Sequence, residues 1–193
     1  MPTICVFCGS SPGSRPAYAD AARRLGEHLA SQGITLVYGG ARVGLMGVVA
    51  DSALAKGGRV VGILPGFMEA KELAHPGLTE LIIVKSMHER KAQMAERSDA
   101  FIAMPGGYGT FEELFEMLTW TQLGLQQKPC GLLNVAGYYA PLCTQLDRAV
   151  IDGFMRSQHR EMLLVEDEPA HLVSRLLAWE PKPVHKWLNP NQT

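Results

Sequence analysis

The stretch AFIAMPGGYGTFEELFEML, residues 100–118, predicts a strand, a tight loop and a helix in direct succession. The apolar run up to Met104 is typical of a strand that is buried on both faces, as in a parallel sheet. Pro105 and three glycines then form a turn, and an amphipathic pattern follows from Thr110. Closely spaced glycines let a backbone approach a ligand, and phosphate is the commonest ligand at such a turn.

The same alternation of short apolar runs and helical patterns continues along most of the chain, which indicates a parallel sheet covered by helices. We predict seven strands, near Thr3–Cys8, Ile34–Tyr38, Arg59–Leu64, Leu81–Val84, Ala100–Met104, Cys130–Asn134 and Met162–Val165. We predict helices near Tyr18–Ser31, Gly44–Lys56, Met87–Arg97, Thr110–Leu123, Tyr139–Asp152 and Pro169–Ala178. The expected fold is one doubly wound α/β domain over residues 1–180, with a proline-rich tail at 181–193.

Composition excludes several classes of partner. The 193 residues are 47% hydrophobic and 19% charged, with a formal net charge of -1, so no broad basic field is present to hold a nucleic acid or an anionic membrane. No apolar run approaches the roughly 20 residues that a membrane span needs. We therefore expect a cytoplasmic protein that binds neither nucleic acid nor membrane.

The cysteines do not predict a redox or metal site. Cys5 and Cys8 form a C-x-x-C inside an apolar run rather than at the turn that opens a helix. Zinc needs a second ligand pair, and none follows at suitable spacing. We expect buried thiols on a strand and no bound metal.

Four glycine-containing loops follow predicted strands: GSSPGS at 9–14, GGARVGLMG at 39–47, PGFM at 65–68 and PGGYGT at 105–110. Ligands of open α/β sheets bind beyond the carboxyl ends of the strands, where these loops lie. A phosphate-binding Walker loop is absent, and GGARVG does not match G-x-G-x-x-G. A nicotinamide dinucleotide is therefore disfavoured as the ligand.

The loop Gly106–Thr110 is expected to bind phosphate. Its glycines leave peptide N–H groups uncovered, and the helix that follows adds the positive end of its dipole. The helix is expected to start near Thr110, whose hydroxyl can cap it or bond the anion. Glu112 and Glu113 lie in the first helical turn, but neighbouring helix residues point about 100° apart, so only one can face the loop. If Glu113 is that residue, its carboxylate suits stabilising a developing cation or activating a water. The alternative is that the loop is only a tight turn.

The segment SMHERKAQM, residues 86–94, opens the helix after the fourth predicted strand. A guanidinium recognises phosphate with two parallel hydrogen bonds, so Arg90 is a candidate anchor or leaving-group contact, with Lys91 beside it. We expect this strand end to lie next to the Gly106 loop, because the fourth and fifth strands are sequential neighbours. The alternative places Arg90 and Lys91 on a solvated helix face.

These segments resemble the Lonely Guy family of cytokinin riboside 5'-monophosphate phosphoribohydrolases, long labelled lysine decarboxylases. PGGYGTFEE matches the pattern PGGxGTxxE at every fixed position, with MHERK and YGGARVGLMG upstream, and the resemblance covers roughly residues 4–180. It implies a Rossmann-like fold, a homodimer with sites near the subunit interface and no cofactor. The implied reaction cleaves the N-glycosidic bond of an adenine nucleotide to free base and ribose 5-phosphate.

The resemblance also implies roles for individual residues. Arg90 and Glu113 correspond to the catalytic pair. The implied substrate contacts are Lys91, Gly106, Gly107, Tyr108, Gly109, Thr110, Glu112, Thr119 and Glu72, to which we add Ser10, Gly39 and Gly40 from the loops after the first two strands. Hydrolysis of AMP or of an N6-prenylated nucleotide is the expected function. A non-catalytic nucleotide-binding protein and a pyridoxal phosphate decarboxylase are the alternatives.

Overall fold

Seven strands alternate with helices along residues 1–69 and 73–181, which are the residues that the computed structural model describes. The strands are β1 Thr3–Phe7, β2 Thr35–Tyr38, β3 Val60–Pro65, β4 Glu80–Val84, β5 Ala100–Ala103, β6 Cys130–Leu133 and β7 Leu163–Glu166. The helices are α1 Pro16–Ser31, α2 Gly44–Ala55, α3 Gly66–Glu69, α4 Met87–Glu96, α5 Tyr108–Leu123, α6 Ala140–Ile151, α7 Ser157–Arg160 and α8 Pro169–Leu177, with a 3₁₀ turn at Val135–Gly137.

The strands form one parallel sheet in the order β4-β3-β2-β1-β5-β6-β7. Val6 of β1, for example, pairs with Tyr38 of β2 on one side and Ile102 of β5 on the other. The strand order reverses between β1 and β5, so a crevice opens at their carboxyl ends, where ligands of such sheets bind. The predicted doubly wound α/β fold is confirmed.

Helices cover both faces of the sheet and enclose two apolar cores. Ile4 and Val6 point into the core beneath α1, α2 and α8, whereas Cys5 and Phe7 point into the core beneath α4, α5 and α6. Because β1 is buried on both faces, its sequence is a continuous apolar run rather than an alternating pattern. The buried strands β1 and β5 thus fix the positions of the two loops that follow them at the crevice.

The predicted strands and long helices are confirmed, with ends displaced by at most a few residues. The prediction lacked α3, α7 and the 3₁₀ turn, because segments of three or four residues are too short to show a helical period. Within the described residues no helix is long and apolar enough to cross a membrane. Glu72 and all of the predicted tail except Pro181 lie outside those residues.

The burial predicted for the C-x-x-C thiols is confirmed. Cys5 lies in β1 and is fully buried, and Cys8 follows the strand with 7% of its surface exposed. Burial raises the pKa of both thiols, and the nearby Glu113 carboxylate acts in the same direction. These cysteines therefore serve as small core residues.

Candidate active site

The loops after β1, β2 and β5 meet at the carboxyl edge of the sheet. The Gly9 N–H donates to the Pro105 carbonyl at 3.0 Å, and the Leu45 N–H donates to the Gly9 carbonyl at 3.0 Å. Gly44 is required here, because its φ is +58° and a Cβ would lie 2.3 Å from the Ser10 carbonyl carbon. The loop after β3 instead forms α3, which packs on β3 and β4. Of the four glycine-containing loops, those after β1, β2 and β5 are therefore joined to one another by hydrogen bonds and close contacts.

The loop after β5 presents backbone donors to open space. Helix α5 begins at Tyr108 with Gly107 as its N-cap, and its first intrahelical bond runs from the Phe111 N–H to the Gly107 carbonyl at 3.1 Å. The N–H groups at the start of a helix lie outside its own hydrogen-bond ladder. A Cβ on Gly107 or Gly109 would meet nothing within 4 Å. An anion can therefore reach this backbone.

Thr110 has a different position from the one predicted. It is the third residue of α5 and only 4% exposed, so it does not cap the helix, which begins two residues earlier. Its hydroxyl packs against Gly106, where a Cβ would lie 2.1 Å from the hydroxyl oxygen and 2.9 Å from the Gly9 nitrogen. Gly106 thus allows the loop to lie against both α5 and the loop after β1.

One turn further along α5, Glu113 pairs with Arg90 inside the protein. The distance from Arg90 Nη1 to Glu113 Oε1 is 3.4 Å, and both side chains are 9% exposed. Arg90 Nε also donates to the Ile63 carbonyl of β3 at 3.2 Å. The two adjacent glutamates point in different directions, because Glu113 is buried whereas Glu112 is exposed.

The predicted reason for this pairing is wrong. The fourth strand, β4, is at the sheet edge, and three strands separate it from β5. Arg90 reaches Glu113 because α4 runs back across β3 on its way to β5. Helix α4 begins where it does because Ser86 caps it, accepting from the Glu89 N–H at 3.1 Å, while Glu89 accepts from the Lys85 N–H at 2.8 Å.

Gly39 and Met87 border the Arg90 guanidinium, and Met46 lies beside Gly39. A Cβ on Gly39 would lie 2.1 Å from Arg90 Nη2 and 3.2 Å from Met46 Sδ. Met87 Sδ lies 3.9 Å from Arg90 Nη1. Gly40, with a φ of +75°, accepts from the His75 N–H at 3.0 Å and so ties this loop to the segment before β4. The loop after β2 is therefore one wall of the Arg90 site.

Burial dominates the ionisation of Glu113. It raises the pKa of this carboxyl from 4.5 to about 7, although Arg90 opposes the rise and Glu112 adds to it. The carboxyl therefore ionises near neutral pH, in the range that suits a general base.

Lys91 lies beside this pair but is bonded to carboxylates. Its ammonium bonds to Glu112 and lies 3.1 Å from Glu116 Oε2. Burial lowers the pKa of Lys91, but the bonds to Glu112 and Glu116 outweigh burial, and the net shift is upward. Lys91 and Glu112 are thus brought together, and they form a charged cluster with Glu116 next to Glu113.

The remaining predicted substrate contacts lie at different distances from the Arg90–Glu113 pair. Ser10 lines a cavity of 290 Å³ between the loops after β1 and β5, together with Gly106 and Gly107. Tyr108 is 94% exposed at the start of α5. Thr119 is exposed further along α5 and lines a separate groove with α6 and α7. Within a single chain, Thr119 is therefore not part of the Glu113 site. Glu72 lies outside the described residues.

Sequence reasoning missed three residues that support the site. Glu116 holds Lys91, and its signal was the spacing of three and four residues from Glu113 and Glu112 on one helix. Tyr138 and Tyr139 donate to the Gly106 carbonyl at 2.5 Å and the Met104 carbonyl at 2.6 Å. Across residues 1–69 and 73–181 no group of three or more His, Cys, Asp or Glu side chains is placed to hold a metal.

Comparison with known proteins agrees with the sequence motifs. The family model described as "Possible lysine decarboxylase" matches residues 46–176. The probable cytokinin riboside 5'-monophosphate phosphoribohydrolase LOGL1 of Oryza sativa subsp. japonica is 51% identical over 172 residues, which cover 89% of this chain and 77% of that protein. The phosphoribohydrolase LOG5 of Arabidopsis thaliana is 49% identical over 178 residues, which cover 92% and 78%.

Solved structures show the same fold at lower identity. The molybdenum cofactor binding protein of Rippkaea orientalis is 24% identical, with a TM-score of 0.70 over 92% of this chain and 96% of that chain. At this identity the likeness extends to the fold alone. By its sequence relatives and family model, the chain belongs to the Lonely Guy family of cytokinin riboside 5'-monophosphate phosphoribohydrolases.

Proposed function

We propose that this protein hydrolyses the N-glycosidic bond of adenine-type nucleoside 5'-monophosphates, releasing free base and ribose 5-phosphate. The observation that carries the proposal is the buried Arg90–Glu113 pair, one helical turn from an uncovered glycine loop. The names of the relatives, which are phosphoribohydrolases of cytokinin riboside 5'-monophosphate, support the same reaction. AMP and N6-prenylated AMP are the two candidate substrates.

The glycine loop suits the 5'-phosphate. The N–H groups of Gly107, Tyr108 and Gly109 lie at the N-terminus of α5, where the helix dipole favours an anion. Ser10 lines the 290 Å³ cavity together with Gly106 and Gly107. A phosphate held here anchors the ribose, so binding energy remote from the reacting carbon contributes to lowering the barrier.

Glu113 suits the reacting carbon of the ribose. Departure of the base leaves positive charge on C1' and the ring oxygen, which a nearby carboxylate stabilises. The same carboxylate accepts a proton from the water that attacks C1'. A carboxyl with a pKa of about 7 is ionised often enough for this role at neutral pH and is also a competent proton acceptor.

Arg90 suits the departing base and the alignment of Glu113. Its guanidinium carries a fixed positive charge, held by the Ile63 carbonyl and the glutamate. A cation at this position offsets the negative charge that develops on the base as the bond breaks. Met87 borders the guanidinium and Met46 lies beside Gly39, so the two side chains offer an apolar surface for the base.

The environment of Lys91 disfavours the decarboxylase chemistry in the family's older description. A pyridoxal phosphate enzyme needs a lysine whose neutral amine attacks an aldehyde. Lys91 is instead bonded to Glu112 and Glu116, and the upward shift of its pKa keeps the proton on the amine. This lysine suits an electrostatic role beside Glu113.

We also infer that the protein is a homodimer. Thr119 follows Glu113 by six residues, so it points about 120° away around α5. It lines a groove of 140 Å³ with the partly exposed Phe115 and Leu118. A second copy over this groove accounts for both the exposed apolar side chains and the expected substrate role of Thr119. Sedimentation equilibrium should give twice the chain mass of 21.0 kDa, and a monomer mass contradicts the inference.

The test of the reaction is product analysis. The purified protein is incubated with AMP, with N6-isopentenyladenosine 5'-monophosphate and with the two nucleosides, and free base is separated by chromatography. We expect base from the monophosphates alone, loss of activity in Glu113→Gln and Arg90→Ala, and normal activity in Glu96→Gln, which removes an exposed carboxylate from α4. Bound nucleotide without base release contradicts hydrolysis and supports a binding protein.

A further inference from the structure

Two consecutive tyrosines donate hydrogen bonds to backbone carbonyls at the glycine loop. The Tyr138 hydroxyl donates to the Gly106 carbonyl at 2.5 Å, and the Tyr139 hydroxyl donates to the Met104 carbonyl at 2.6 Å. Both come from the segment between β6 and α6, at the carboxyl edge of the sheet. The two bonds are alike in length but act on different peptide units.

The peptide unit held by Tyr138 carries a donor for the phosphate. In a trans peptide the carbonyl and the N–H of one unit point in opposite directions. The Gly106 carbonyl therefore shares its plane with the Gly107 N–H, and fixing the one toward Tyr138 aims the other away from it. Gly107 faces open space, where a Cβ would meet nothing within 4 Å.

The peptide unit held by Tyr139 carries no donor. The Met104 carbonyl belongs to the unit whose nitrogen is that of Pro105, and proline has no N–H. Tyr139 is fully buried, so its bond anchors the end of β5 within the core. This tyrosine therefore contributes to stability without orienting a group for an anion.

The position of the Tyr138 ring does not depend on its hydroxyl. The ring packs edge-on against Tyr139, with centroids 5.0 Å apart, and against Tyr18, with centroids 5.9 Å apart. Tyr138 is half-buried and lines the 290 Å³ cavity beside Gly106 and Gly107. A phenylalanine can keep these contacts while removing the one hydrogen bond to the loop.

We propose that Tyr138 is a positioning residue for phosphate binding, because its hydroxyl holds the Gly106–Gly107 peptide with the Gly107 N–H directed at the ligand. Without this bond two adjacent glycines allow the peptide to rotate, since neither has a side chain to restrict it. The inference rests on the proposed function, because it takes the glycine loop as the phosphate site. It adds a residue that no motif of the sequence singled out.

The test compares Tyr138→Phe with Tyr139→Phe, which each lose one hydroxyl that donates to a loop carbonyl. Dissociation constants are measured by calorimetry for ribose 5-phosphate and adenosine, and for AMP in proteins that also carry Glu113→Gln, so that AMP is not hydrolysed during the titration. We expect Tyr138→Phe to weaken the binding of AMP and of ribose 5-phosphate by roughly tenfold each, as for the loss of one hydrogen bond to a charged group. The binding of adenosine, which has no phosphate, should be unchanged. Tyr139→Phe should lower the Tm and leave all three constants within about twofold.

Three results overturn the inference: unchanged AMP binding in Tyr138→Phe, equal losses in the two variants, or a wild-type protein that binds neither phosphate ligand. A parallel assay of adenine release by the wild-type protein tests the proposed reaction separately. If AMP binds without turnover and only Tyr138→Phe weakens that binding, hydrolysis is wrong and the role of Tyr138 stands.

Discussion

Replacing Glu113 by glutamine should abolish turnover and yet stabilise the folded protein at neutral and higher pH. Burial raises the pKa of this carboxyl from 4.5 to about 7, against the opposing effect of Arg90. A carboxyl whose pKa is higher in the folded chain than in the unfolded chain destabilises the folded state once the pH exceeds its pKa in the unfolded chain. Stability is thus lost as the pH rises from about 4.5 to about 7, and glutamine, which stays neutral, avoids that loss.

The size of the effect follows from the same two pKa values. A rise from 4.5 to about 7 corresponds to roughly 3 kcal/mol in the free energy of unfolding. For a chain of this length that is an increase in Tm of about 6–12 °C. The gain should be small at about pH 5, grow through the neutral range and reach its maximum above about pH 7.

Urea titrations of the wild-type protein and Glu113→Gln at several pH values measure this difference directly. Glu96→Gln is the matched control, because it removes an exposed carboxylate and should give no comparable pH-dependent gain. A Glu113→Gln protein that is less stable than wild type at about pH 8 refutes the reasoning. So does a gain of the same size at about pH 5 and about pH 8, since burial of a charge cannot then be its cause.

Three further predictions concern the same site. Activity should follow the ionisation of the same carboxyl, so that kcat/KM falls about tenfold per pH unit below about pH 7, and a flat profile of initial rates contradicts a general base. Gly39→Ala places a methyl carbon 2.1 Å from Arg90 Nη2, so we expect loss of base release; normal rates would show that the guanidinium has room to move. Gly106→Ala crowds the Thr110 hydroxyl and should lower the free energy of unfolding by about 1–3 kcal/mol, measured by chemical unfolding. Gly107→Ala, with open space around it, should leave that free energy unchanged, and equal losses in the two variants contradict the packing described.

The order of strands and helices could be predicted because each element has its own local pattern. Buried runs such as that of β5 and the glycine loop before α5 are read from consecutive residues. The position of β4 at the sheet edge depends on contacts between residues distant in sequence, and expecting β4 beside β5 was therefore wrong. Short helices such as α3 and α7 have no period to detect.

The site was predictable only in part for the same reason. Glu113 and Arg90 belong to local motifs, but their contact depends on the path of α4 across β3. The bond from Tyr138 to the Gly106 carbonyl joins positions 32 residues apart and follows no motif. Thr110 lost its predicted capping role because the helix start shifted by two residues, which local patterns do not resolve.

The central claim, that Glu113 drives cleavage of a nucleoside 5'-monophosphate, is tested most directly by a single-turnover measurement. Wild type and Glu113→Gln, each in excess over AMP, are mixed with it, and adenine release is followed while AMP affinity is measured in parallel. The account predicts that the rate falls at least about 10³-fold and that the affinity changes only a few-fold. A Glu113→Gln protein that releases adenine within about tenfold of the wild-type rate contradicts it.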